Sequence, residues 1–486
     1  MPLVAGVDSS TQSTKVELRD LQTGQVASAG RSFHPTTVPP CSEQAPSAWW
    51  AALVEATTEA LAKAAGQGAR PSDVVAIAVA GQQHGLVVLD SRREVIRPAK
   101  LWNDMESAED SEWLIDQLGA SRWAEACGSV PVASFTITKL AWLRRSEPGS
   151  FARIAHVLLP HDWLNLRLTD AFATDRGDAS GTGYWSPSES RYRFDLLELV
   201  DPDLDWKAIV PTVSGPWDRA GTLTDPAAAE LGLRPGTLVA AGTGDNMAGA
   251  LGIGLRPGDI AVSIGTSGTV FGVSDRPTHD PTGAVAGFAD ATGRFLPLVC
   301  TLNAALVTEA VARLLAVGHA ALDTLALAAP SGSGGLVLVP YLAGERTPNR
   351  PDATGTLRHI RPDVSRELLA RAAFEGVVCG LLEGLDALSA AGVPADGGGL
   401  VLLGGGARSA AYRRVLADLS GRPVTVPTGE EHVSAGAAVQ AAALAMGTDA
   451  DTVAEAWGLR RGEIIDPGPA SAGADEIRHR YADARG

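Results

Sequence analysis

The chain carries one local device twice. LVAGVDSSTQSTKVELRD near the start and DIAVSIGTSGTVFGVSD (259–275) past the midpoint each read as strand, tight Gly/Ser/Thr-rich turn, strand. Such an echo predicts two related halves, each opening on the same hairpin, around a shared cleft. At 486 residues the chain also exceeds what one core ordinarily supports, which agrees with two domains. The boundary is expected near GTGDNMAGALGIGLRPGD (242–259). That gives an N-terminal domain over 1–245, a C-terminal domain over 246–448, and a terminal helix and tail over 449–486 with ASAGAD (470–475) as a flexible spacer.

Between the hairpins, short β-branched runs alternate with alanine-rich amphipathic stretches, the pattern of an α/β protein. Strands are predicted at 3–8, 74–81, 238–244, 260–265, 335–344 and 400–405, and helices at 47–66, 303–318, 365–388 and 434–447. The last of these, SAGAAVQAAALAMG, is built of small residues and is expected to pack closely on a neighbour. A net charge of −16 argues against a nucleic-acid partner, which needs a basic face. One bound nucleotide is still compatible with it, because backbone N–H groups supply local positive potential. The four cysteines are scattered without a CxxC pair, so neither a disulfide framework nor a zinc site is expected. No leader-like segment and no apolar run long enough to span a membrane is apparent, and the expected location is cytoplasmic.

Five places carry candidate chemistry. In the first hairpin Asp8 ends a strand, and Thr11, Gln12, Ser13 and Lys15 follow. A turn of this kind converges N–H and hydroxyl groups on one point, which suits phosphate oxygens. Asp8 is suited to hold magnesium through water, and Lys15 to face phosphate. An ordinary surface hairpin fits the same residues. Gly265-Thr266-Ser267-Gly268 repeats the device, and ATP held between two lobes needs a donor loop from each. The third place is Gly404-Gly405-Gly406, between a buried strand and a helix predicted from about Ser409, where a flat ring or phosphate can approach the backbone. It matches neither the dinucleotide fingerprint nor the P-loop.

In Gly242-Thr243-Gly244-Asp245-Asn246 the glycine-flanked Asp245 reads either as a helix cap or as a general base for a sugar hydroxyl. GQQHG (81–85) offers Gln83 and His84 for hydroxyl contacts, and Trp102-Asn103-Asp104 sets an aromatic face beside polar groups. A packed histidine and a core tryptophan are the plainer readings of those two.

Taken in this order, the chain resembles the FGGY carbohydrate kinases of the actin-like ATPase superfamily over about residues 3–448. GQQHG, LWND (101–104), LLPHDWLNLRLTD (158–170), DASGTGYW (178–185) and PYLAGERTP (340–348) add detail seen in the members that act on xylulose. The resemblance implies an α/β fold of two ribonuclease-H-like domains flanking a catalytic cleft. It also implies ATP and Mg²⁺, with D-xylulose as the small-molecule partner, no nucleic acid and no membrane; a homodimer is left open.

By the same resemblance Asp245 would be the catalytic base, with Gln83, His84, Trp102, Asn103 and Asn246 around the sugar. Asp8 would serve the metal, Thr11, Ser13, Lys15, Gly265 and Thr266 the phosphates, and Gly405 and Gly406 the adenosine. Two positions depart from the pattern. Ser10 stands where the first hairpin usually has glycine, and Gln83 where methionine is common. Alternatives are a kinase of this family for ribulose, fuculose, gluconate or glycerol, and a non-enzymatic ATP-binding module.

Overall fold

A computed structural model describes every residue except Pro39 and Asp396. In it each sequence hairpin becomes the start of a sheet, and the two sheets share one strand order. Strand β1 (Leu3–Ser9) pairs antiparallel with β2 (Ser13–Asp20), and β2 with β3 (Val26–Phe33). On its other side β1 runs parallel to β4 (Val74–Gly81), which runs parallel to β5 (Leu238–Ala240). The second sheet repeats this with β6 (Ile260–Ile264), β7 (Gly268–Gly272), β8 (Phe295–Thr301), β9 (Leu400–Leu403) and β10 (Val424–Pro427). Both read third, second, first, fourth, fifth. β1 is buried at every position and β4 at all but one, as near-continuous apolar runs at sheet centres require.

Several helices matter for the site. They are α1 (Pro46–Ala65), α2 (Pro160–Thr169), α3 (Arg176–Ser180), α4 (Asp245–Gly252), α5 (Ala305–Leu315), α6 (His319–Ala328), α7 (Arg366–Ala390), α8 (Ala410–Ser420), α9 (His432–Met446) and α10 (Ala474–Arg485). α1 covers the first sheet with Trp49, Leu53, Ala56, Ala60 and Ala64, the spacing of one helical face. α9 does pack closely, and on the first sheet rather than the second. A methyl group on Gly6 of β1 would lie 2.0 Å from the Ser434 carbonyl oxygen. α9 also crosses α4 at two glycines. A Cβ on Gly252 would sit 1.8 Å from the His432 oxygen, and one on Gly436 1.8 Å from the Ala248 oxygen.

Three expectations need correction. The strand expected at 335–344 is confined to Val337–Val339, paired with Thr356–Arg358 outside both main sheets. Pro340 has no N–H for a ladder, and the chain then turns, with the Leu342 N–H bonding back to the Pro340 carbonyl. The strand expected at 238–244 breaks after Ala240, because Gly242 takes a left-handed conformation (φ 76°). Thr243–Gly244 then rejoin the end of β4, and that break aims the start of α4 at the cleft.

The expected terminal helix is present, but the rest of 449–486 is not a loose tail. Gly462–Ile465 forms an edge strand, β11, antiparallel to β10, and residues 469–473 make a 3₁₀ turn leading into α10. α10 buries Ala474, Ile477, Tyr481 and Ala484 in the core of the second half. Among the described residues no single helix is long and apolar enough to cross a membrane.

Candidate active site

The first hairpin places two charges face to face. Asp8 and Lys15 are cross-strand partners, and Lys15 Nζ lies 3.4 Å from Asp8 Oδ2. The same ammonium lies 2.5 Å from Glu431 Oε2, just before α9, so a residue of the second half closes on the first hairpin. Ser10, the residue in place of glycine, donates its hydroxyl to Asp8 Oδ1. Burial pushes the Asp8 pKa up despite Lys15, whereas Asp8 and Glu431 together raise that of Lys15 against the effect of burial. The Thr11 hydroxyl accepts the Trp102 indole N–H at 2.8 Å, which ties the phosphate turn to LWND. Ser13 is buried and its hydroxyl accepts from Arg31 at 3.2 Å.

The second hairpin and the glycine loop are neighbours because β6 and β9 are adjacent and parallel, so both lie at the carboxyl ends of their strands. Gly265, Thr266, Gly405 and Gly406 line one cavity of about 470 Å³ with Thr308, His319, Asp323 and Tyr412. The expected helix begins at α8, where Ser409 caps Tyr412 N and donates its hydroxyl to Asp323 at 2.6 Å. A second cavity, of about 330 Å³, adjoins it and contains Lys15, Glu431 and His432. Gly405 and Arg408 line both. The two cavities thus form a track from the Tyr412 end to the charged pair of the first hairpin.

Beyond that pair lies Asp245, at the first position of α4. Gly244 is the residue before the helix, so Asp245 does not cap it. Its Oδ1 instead accepts from the Asn246 backbone N–H (2.8 Å) and from Asn246 Nδ2 (3.0 Å). Asn246 Nδ2 also donates to Gln83 Oε1 at 2.8 Å. That fixes the Gln83 amide and leaves its Nε2 buried without a partner. Burial, then the charges of Asp8 and Asp178, push the Asp245 pKa up to about 7.

His84 takes a positive φ of 67°, rare for a side-chain-bearing residue and common where a site holds strain. Its Nδ1 lies 2.7 Å from the Gly181 carbonyl, and its ring packs against Phe135 and Phe288. Burial first, with Lys139 and Arg346 adding, depresses its pKa to about 3. The neutral ring therefore donates from Nδ1 and offers Nε2 as an acceptor. Trp102 is 39% exposed, and Asn103 Oδ1 is buried without a partner.

Sequence reasoning did not pick out what holds these groups. Fully buried His161 lies 2.6 Å from Asp178, 3.3 Å from Asp162 and 3.9 Å from Asp175. These carboxylates outweigh burial and raise its pKa to about 10. Asp175 accepts the Thr243 hydroxyl at 2.8 Å, which anchors the segment leading to Asp245. The signal was present in LLPHDW and DASGTGYW, but nothing local shows that the two blocks meet. Cys41, Glu43, Asp104 and Glu106 cluster as metal ligands do. The Lys100 ammonium, 2.5–3.3 Å from the three carboxylates, already compensates them.

Residues 3–252 match the N-terminal domain, and residues 260–445 the C-terminal domain, of the FGGY family of carbohydrate kinases. A xylulose kinase of Streptomyces coelicolor is 47% identical over 466 residues, covering 96% of this chain and 92% of its own. One of Streptomyces rubiginosus is 45% identical over 466 residues, with the same two coverages. The crystal structure of xylulose kinase from Bifidobacterium adolescentis superposes with a TM-score of 0.85 at 38% identity, covering 100% of this chain and 99% of that one. Two hairpin-led sheets of one order, a nucleotide-sized track between them and a carboxylate at its far end are what a sugar kinase needs, and the chain belongs to the FGGY family of carbohydrate kinases.

Proposed function

We propose that the chain transfers the γ-phosphoryl group of ATP to D-xylulose, giving ADP and D-xylulose 5-phosphate, in the cytoplasm. The observation that carries this is Asp245, a carboxylate with a pKa near 7, bonded by Asn246, which Gln83 holds in turn, at the end of the track furthest from the glycine loop. The xylulose kinases at 45–47% identity support the choice of sugar.

Adenosine lies in the larger cavity, against Gly405 and Gly406, and the phosphates run past Thr266 toward Lys15. Thr11 steadies the turn through Trp102. The sugar lies against Gln83 Nε2, His84 Nε2, Asn103 and the Trp102 face. Asp245 accepts the proton of the attacking hydroxyl. In a loose transition state that proton leaves late, so a base with a pKa near 7 suffices. Asp8, a hard carboxylate donor beside Lys15, suits Mg²⁺ bound through water. Bound there, the ion would neutralise phosphate charge.

The test is a coupled ADP-release assay over ketopentoses, gluconate and glycerol. D-xylulose is expected to give the highest kcat/KM. A clear preference for glycerol or another sugar overturns the substrate assignment and leaves only the family.

A further inference from the structure

The segment 175–181 has no role in the reaction as set out above, yet it touches both groups at the sugar end. Asp175 caps α3, its two carboxylate oxygens accepting the N–H groups of Gly177 (2.8 Å) and Asp178 (2.9 Å). The oxygen bonded by Gly177 also accepts the Thr243 hydroxyl at 2.8 Å. Two residues after Thr243, Asp245 opens α4. Past the other end of α3, the Gly181 carbonyl lies 2.7 Å from His84 Nδ1. Every position of α3 is buried, and His161 holds it through Asp178 at 2.6 Å.

Two glycines let α3 come this close. A Cβ on Gly177 would lie 2.7 Å from Thr243 Oγ1 and 2.8 Å from Asp175 Oδ2. One on Gly181 would lie 2.5 Å from both Nδ1 and Cε1 of His84. These distances are inside packing contact, so neither position has room for a side chain. The two glycines are four residues apart, the spacing that sets residues over one side of a helix. One side of one helix therefore seats Thr243 and, a turn later, His84. The backbones of both segments come off the same place, since Thr243 and Gly244 pair with Ala80 and Gly81 at the end of β4 and His84 follows three residues on. α3 needs neither contact for itself. Without the Thr243 hydroxyl Asp175 keeps both N–H donors, and the Gly181 φ of −83° is open to any residue.

We propose that Thr243 and Gly181 are positioning residues, which seat Asp245 and His84 on one side of α3 and so fix the spacing between the proton acceptor and a group that holds the sugar. This rests on the reading of the cleft as a sugar kinase site. Transfer requires the attacking hydroxyl to be aligned with the phosphorus, and a misplacement of about 1 Å costs on the order of 10²-fold in rate. A single buried helix sets that spacing more rigidly than two separate loops. The two contacts then leave different kinetic marks. Loosening Thr243 moves the base and leaves the sugar bound, whereas crowding at Gly181 moves His84 and loosens the sugar.

The test compares Thr243→Val, Thr243→Ser and Gly181→Ala with the unmodified protein, using whichever sugar that protein turns over fastest. Thr243→Val loses the donor, and should lower kcat about 10–10²-fold with calorimetric sugar affinity kept within about twofold. Thr243→Ser keeps the hydroxyl and should recover most of that loss. Gly181→Ala should do the reverse, weakening sugar affinity about tenfold while kcat falls less than about threefold. Added to Asp245→Asn, Thr243→Val should lower kcat less than about twofold further, because the group it positions is already gone. The proposal is overturned by a Thr243→Val kcat within about threefold of the unmodified protein, by equal losses in both quantities from Thr243→Val and Gly181→Ala, or by full additivity with Asp245→Asn. A near-normal kcat for Asp245→Asn alone is a separate outcome, which overturns the reading of the site and the proposal with it. Should Thr243→Val or Gly181→Ala fail to fold, Thr243→Ala in the same cycle with Asp245→Asn decides the matter.

Discussion

The two hairpins share a backbone plan and differ in what they carry. The first sets Asp8 against Lys15 across its strands and recruits Glu431 from the other half. The second, Gly265–Gly268, has no charged residue, and its Gly265 and Thr266 carbonyls accept from the start of α5. One turn is built to manage charge and the other to leave room. A repeated element therefore does not imply a repeated job. Polar chemistry concentrates in the first half, where Asp245, Gln83 and His84 also lie, while the second half supplies shape and the carboxylate of Glu431.

The sharpest way to break this division is Asp245→Asn. Asn is nearly isosteric with Asp but accepts no proton, so kcat should fall about 10²–10⁴-fold with ATP affinity retained by calorimetry. A near-normal kcat would remove the proposed base, and the case for chemistry in the first half with it. Next comes a matched pair. Asp8→Ala should lower kcat about 10²-fold and raise the magnesium needed for half-maximal rate, whereas Thr266→Ala should act mainly on the KM for ATP, about tenfold or less. Equal effects from the two turns would erase the distinction.

The pH profile is a third test. With the Asp245 pKa near 7, kcat/KM should fall about tenfold per pH unit below 7, and the residual activity of Asp245→Asn should lack that limb. The sign for stability follows from the same shift. The folded pKa lies above the usual carboxylate value of about 3.9, so the folded state binds the proton more tightly and loses that advantage as pH rises through about 7. Asp245→Asn should therefore gain more melting temperature at pH 8 than at pH 5. Smallest is Gln83→Met, which removes the amide proposed to face the sugar. It should change the ratio of kcat/KM values among ketopentoses a few-fold and leave ATP binding unaltered.

Much of this was legible because hairpins, glycine loops and helix starts are local. The strand ends that carry Asp8 and the glycine loop follow from patterns a few residues long. The choice between cap and base at Asp245 was not local. It turned on Asn246 bonding the carboxylate and being held in turn by Gln83, far away in the chain. His161 with its three aspartates and Asp323 beneath Ser409 are likewise products of long-range packing. That α10 docks on the core of the second half was not legible, because its overall polarity hides a narrow buried stripe.

The crossing of α4 and α9 carries a mechanical consequence. Where two backbones touch at Gly252 and Gly436 with no space for a methyl group, the helices cannot slide past each other and act as one axle. Asp245 sits at the start of one and Glu431 at the start of the other, so both ride on the pivot. A swing of the second sheet toward the first would carry the glycine loop and its nucleotide through an arc while the spacing of Asp245, Lys15 and Glu431 stays constant. On such a pivot the proposed acceptor end would stay fixed while the proposed donor end travels.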